Sequence, residues 1–122
     1  MMKILVIEDE ATLCLLYKLE LEDEGYEVVF SRTADEGMEL FKKENPDLVT
    51  LDINLSALAP KEGLILLGQM KQTRPNVPVI LLTGYDACNS DVREKLADAY
   101  IMKDSKLDEL KSTIKRLVLQ TS

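Results

Sequence analysis

The chain contains no histidine and no tryptophan, and the first absence excludes the most. Without an imidazole there is no Ser-His-Asp or Cys-His catalysis, no histidine metal site and no phosphohistidine donor. Chemistry has to rest on carboxylates, hydroxyls, lysines and the backbone. Only two cysteines occur. Cys14 and Cys88 lie far apart and form no C-x-x-C pair, so they read as reduced thiols of a cytoplasmic protein. No apolar stretch approaches the roughly 20 residues needed to span a bilayer, and the N-terminus lacks the layout of a secretory signal. There is no run of Lys or Arg, and a formal charge of −7 argues against this segment gripping a nucleic-acid backbone by itself.

What is present is an ordinary globular balance, 46% apolar and 30% charged in 122 residues. That is enough for one domain over residues 1–122, with a core that needs no disulfide staples. Five short apolar runs punctuate the chain: Ile4–Ile7, Val28–Phe30, Leu48–Leu51, Val79–Leu82 and Ala99–Met102. Runs this apolar suit strands buried on both faces, as in a parallel sheet. Between them, Leu13, Leu16, Tyr17 and Leu21 recur at helical spacing, with Gly25 as a stop. A second helix is predicted from about Ala34 to Glu44, ended by Asn45-Pro46. A third covers roughly Gly63 to Thr73 and buries Leu64, Leu67 and Met70. Asp86–Asp98 is a weaker helical stretch with few apolar positions, and Leu107–Leu119 is the last.

Regular βα alternation implies a parallel sheet with helices on both faces. A closed barrel of eight such units needs about twice the length. The expected fold is a flavodoxin-like (βα)5 three-layer sandwich, its five strands ordered 2-1-3-4-5.

Parallel strands all end on one edge, so the residues that follow each run share a rim. Glu8, Asp9 and Glu10 follow the first run, Asp52 the third, Thr83 the fourth and Lys103 the fifth. Strands one and three are neighbours at the switch point, where such folds open a ligand crevice. Adjacent strands lie roughly 4.8 Å apart, so Asp9 and Asp52 could both bond one Mg²⁺ at about 2.1 Å per oxygen. Hard oxygen donors favour Mg²⁺ or Mn²⁺ over zinc. Lys103 stands about 10 Å from Asp52, two strand spacings away, with a long side chain to bridge part of the gap. Thr83 lies between them and offers a hydroxyl. Acids after a strand also serve as helix caps and first-turn residues, so Glu8-Asp9-Glu10 alone carries either reading. Four matching residue types at four strand ends carry more.

The stretches Ile4–Glu10 (ILVIEDE), Pro46–Asp52 (PDLVTLD), Val79–Thr83 (VILLT) and Tyr100–Lys103 (YIMK), with Gly25-Tyr26, occur in an order and spacing that resembles the receiver domain of bacterial and archaeal response regulators. The resemblance covers essentially the whole chain. It implies that Asp52 accepts a phosphoryl group from a histidine kinase or a histidine phosphotransfer protein. By the same resemblance, Asp9 would be a direct Mg²⁺ ligand, Glu8 would act largely through metal-bound water, and the Asn54 carbonyl would supply another ligand. Lys103 would neutralise one phosphoryl oxygen and the Thr83 hydroxyl would bond another. Tyr100 matches the family's switch aromatic, turning inward as Thr83 moves towards phosphate; otherwise it is a strand residue with a wet hydroxyl. Such a domain is a signalling switch, not an enzyme on other substrates. It catalyses only its own phosphorylation and dephosphorylation.

Three departures stand out. Ser56 replaces the usual proline after Asp52, and the Ser56–Pro60 loop looks about three residues long of the family pattern. Asp104 replaces the usual proline after Lys103. The fourth helical stretch is short and polar. These departures support one alternative, a pseudo-receiver that binds protein partners without turning over phosphate; the retained Asp9, Asp52, Thr83 and Lys103 oppose it. A flavin carrier or Mg²⁺ phosphatase of related fold lacks its Gly-rich phosphate loop or D-x-D nucleophile after strand one. Tyr85, two residues past Thr83, could shield an acyl phosphate. Leu15 and Leu19 fall off the core face of the first helix, where the family docks its kinase.

Overall fold

The computed structural model describes residues 2–52, 62–83, 96–102 and 107–121. In chain order these form β1 (Lys3–Ile7), α1 (Ala11–Asp23), β2 (Glu27–Ser31), α2 (Ala34–Glu44), β3 (Leu48–Asp52), α3 (Glu62–Thr73), β4 (Val79–Thr83), β5 (Ala99–Met102) and α4 (Leu107–Thr121). The strands make one parallel sheet of order β2-β1-β3-β4-β5, as the sequence pattern predicts. Residues 86–95 of the weak helical stretch and the lengthened loop, Ser56–Pro60, lie outside the described residues, as do Asn54, Tyr85, Cys88, Lys103 and Asp104.

Because strand side chains alternate, the central strands β1, β3 and β4 feed two cores, while the edge strand β5 contributes to only one. Leu5, Ile7, Val49, Leu51, Val79 and Leu81 pack with Phe41 of α2 and with Leu64, Leu66, Leu67 and Met70 of α3. Ile4, Val6, Leu48, Ile80, Leu82 and Ile101 pack on the other face with Tyr17 and Leu21 of α1 and Leu110, Ile114 and Leu117 of α4. Continuous apolar runs are what a sheet covered on both faces requires.

Local chemistry sets the helix ends. Gly25 takes a positive φ of 94°, with Gly25 N–H bonded to Glu22 O and Tyr26 N–H to Leu21 O. That reciprocal pair caps α1 at a conformation glycine adopts without a steric penalty. Thr33 Oγ1 accepts Glu36 N–H to open α2, and Asn45, left-handed, closes it. At the far edge Asp98 Oδ2 accepts both Lys71 Nζ and Val79 N–H, tying α3 and β4 to the chain entering β5.

Leu16 differs from its expected place: it is 39% exposed. Cys14, Tyr17 and Leu21 are the buried residues of α1, and at about 100° per residue Leu16 falls about 130° from the centre of the stripe they define, towards the outer side. In α3 the buried stripe is wider than expected, since Leu66 joins Leu64, Leu67 and Met70.

A Cβ at Gly37 would stand 2.9 Å from Ile7 Cδ1. Ile7 is wholly buried, so its side chain cannot swing clear. Gly37→Ala is therefore expected to destabilise the fold by about 1–2 kcal/mol despite alanine's higher helix propensity. Urea unfolding measures this; an unchanged or higher midpoint would mean α2 lifts away freely.

Candidate metal and phosphoacceptor site

Ile7 of β1 pairs in register with Leu51 of β3, so Glu8 and Asp52 each stand one residue beyond that pair. Glu8 is fully buried, Asp52 is 2% exposed and Asp9 is half-buried. One carboxylate oxygen from each of Glu8, Asp9 and Asp52 lies within 4.8 Å of the other two. Three acids this close repel unless a cation joins them. The donors are all hard oxygens, the set that suits Mg²⁺, so the residues present fit the expected ion.

The turn bearing these acids is held from both sides. Glu8 N–H donates to Ser31 O at 3.0 Å, and the Cys14 thiol donates to Glu8 O at 2.9 Å. Burial, followed by the nearby Glu8 charge, pushes the Cys14 thiol above its ordinary value. It therefore stays protonated, a donor, at neutral pH. Glu8 Oε1 accepts Glu10 N–H at 3.3 Å. Glu10 is exposed and caps α1 without a side-chain hydrogen bond, so of the three acids after β1 it alone stands outside the cluster.

Thr83 ends β4 and pairs in register with Met102, which places it on the same rim. Tyr100 of β5 is 40% exposed. Three residues support the site in roles that no motif in the sequence marks. Ser31 and Arg32 hold the acidic turn from the end of β2, and Cys14 holds it from α1. Their only sequence signal is position, next to the first two apolar runs. Thr50, two residues before Asp52, is also buried, a polar interruption of the run at Leu48–Leu51.

A doubly wound sheet with three clustered carboxylates at its switch point is an α/β domain whose ligand crevice suits a hard cation. The response regulator receiver domain family matches residues 4–115, and the chain belongs to that family. The transcriptional regulatory protein YkoG of Bacillus subtilis is 34% identical over 119 residues, 96% of this chain and 51% of that protein. The alkaline phosphatase synthesis transcriptional regulatory protein PhoP of the same organism is 30% identical, over 95% of this chain and 48% of its own length. This chain thus spans about half the length of the curated relatives it matches. Among solved structures, the response regulator protein TrrA of Thermotoga maritima in complex with Mg²⁺-BeF is 37% identical at a TM-score of 0.87, covering 96% of this chain and 99% of that one. TrrA has also been solved in complex with the histidine kinase ThkA (TM-score 0.85, 37% identity, 96% and 98% coverage). Among the described residues no helix is long and apolar enough to cross a membrane.

Proposed function

We propose that this receiver domain, over residues 1–122, takes a phosphoryl group on Asp52 from a histidine kinase or a histidine phosphotransfer protein. The observation that carries the reading is the gathering of Glu8, Asp9 and Asp52 within 4.8 Å at the switch point. Asp9 and Asp52 would hold Mg²⁺ directly, Glu8 would act largely through a water on the ion, and the Asn54 carbonyl would add a ligand; Mn²⁺ would suit the same donors. Bound there, the ion would supply positive charge against the phosphoryl oxygens and the acids.

An ionised carboxylate needs no general base. Asp52 attacks phosphorus, the bond from phosphorus to the donor breaks, and its electron pair leaves with the donor. Lys103 neutralises one phosphoryl oxygen and the Thr83 hydroxyl bonds another. Tyr100, exposed in this state, turns inward as Thr83 moves, and a partner that prefers the inward ring is selected by population shift. The domain also promotes its own dephosphorylation, and it works in the cytoplasm.

The test is intact mass after incubation with Mg²⁺ and acetyl phosphate. The wild type is expected to gain one phosphoryl group and Asp52→Ala none; no gain in the wild type with any small donor overturns the reading.

For the kinase, the outer face of α1 is the docking surface. Leu15 and Leu19 are 56% and 57% exposed, one turn apart beside the acidic rim, and suit helix-on-helix contact. Leu15→Glu is expected to slow kinase-to-Asp52 transfer about tenfold, the loss of one anchor of about 1.4 kcal/mol. Labelling by acetyl phosphate should be unaffected. Equal transfer rates would place the kinase elsewhere.

A further inference from the structure

The acids gather only if the turn from β1 into α1 presents them together, and backbone contacts hold that turn. Glu8 N–H and Glu8 O are engaged by Ser31 and Cys14, and Glu10 O accepts Cys14 N–H. The carbonyl between them, Asp9 O, accepts two hydrogen bonds from one guanidinium: Arg32 Nε at 3.1 Å and Nη2 at 3.0 Å. Arg32 directly follows β2 and is exposed. It reaches back 23 residues to a residue whose side chain belongs to the acidic cluster. Two donors on one rigid plane fix the direction of the carbonyl as well as its distance.

We propose that Arg32 is a positioning residue for the cation site, clamping the Asp9 carbonyl so that the Asp9 carboxylate is presented to the ion beside Asp52. The inference rests on the reading that Glu8, Asp9 and Asp52 hold Mg²⁺. Position and charge act in opposite directions here. A guanidinium near the site repels a divalent cation, so by Coulomb's law alone its removal tightens Mg²⁺ binding. Loss of the clamp loosens it, because supporting groups that orient metal ligands typically govern affinity by tenfold or more. The sign of the change therefore separates a clamp from a neighbouring charge.

The experiment is an Mg²⁺ titration of the whole chain followed by amide NMR shifts, with urea unfolding of each metal-free variant alongside. Arg32→Ala is expected to raise the Mg²⁺ Kd about tenfold while leaving the urea midpoint nearly unchanged, since the side chain is exposed. Arg32→Gln keeps an amide donor and drops the charge, and is expected to recover part of the lost affinity. Equal or tighter binding by Arg32→Ala overturns the inference and leaves the metal reading standing. A wild type that takes up no Mg²⁺ overturns the metal reading itself, and the role of Arg32 with it.

Discussion

Replacing Asp52 with asparagine is expected to raise the urea midpoint of the metal-free protein while reducing what Mg²⁺ adds to it. Glu8, Asp9 and Asp52 bring carboxylate oxygens within 4.8 Å of one another. At an effective dielectric near 20, two unit charges at such a distance repel by about 3 kcal/mol. Unfolding separates them, so the repulsion counts against the folded state. Asparagine has nearly the same shape and removes one charge, while screening at half-buried Asp9 weakens the pairwise figure. A net stabilisation of about 1–2 kcal/mol is expected, which corresponds to roughly 1 M in urea midpoint for a small domain. In the wild type, Mg²⁺ at a hundredfold excess over its dissociation constant adds about 2.7 kcal/mol. The asparagine variant keeps a carbonyl oxygen but not the charge, so on the proposed metal reading it should gain distinctly less. A fall in the metal-free midpoint would show that favourable partners of Asp52 outweigh the repulsion. Equal Mg²⁺ stabilisation in both proteins would remove Asp52 from the metal site.

Phe41→Ala is expected to cost about 3–5 kcal/mol, the usual range for emptying a buried phenylalanine site. Typical domain stability is only about 5–15 kcal/mol, so this single change consumes much of it. Phe41 is fully buried in the core shared by α2, α3 and the sheet. Its ring also lies under Arg74, with the guanidinium carbon 4.2 Å from the ring centroid, and its carbonyl accepts from the same guanidinium. Alanine keeps the carbonyl contact and forfeits the ring. Urea unfolding reads the effect, and a loss under about 1 kcal/mol would mean that α2 and α3 collapse to fill the space.

Much of the fold was legible because one physical signal dominates it. The central strands are buried on both faces and nearly all apolar for that reason, while the edge strands β2 and β5 leave Phe30 and Tyr100 exposed and keep the pattern only in part. The Asn45-Pro46 stop and Gly25 marked helix ends because left-handed backbone at those points needs such residues. The inner face of α1 was less legible. Leu13, Leu15, Leu16 and Leu19 are chemically alike, and which of them face the sheet depends on where the helix lands against β1 and β2. Leu66 joined the buried stripe of α3 for the same reason.

At the site, sequence order alone placed Glu8, Asp9 and Asp52 on one rim, since parallel strands share an edge for their C-termini. It also identified the family, through motifs whose spacing is set by that same topology. What needed the tertiary structure was the support beneath the acids. Nothing in the residues around Arg32 says that its guanidinium returns to Asp9, nor that Cys14 donates to Glu8 O. Those contacts join segments brought together only when α1 and the turn after β2 pack around the end of β1. Periodicity reports which face of an element is apolar. It carries no record of which polar group across a turn will meet a given carbonyl, and only the folded backbone decides that.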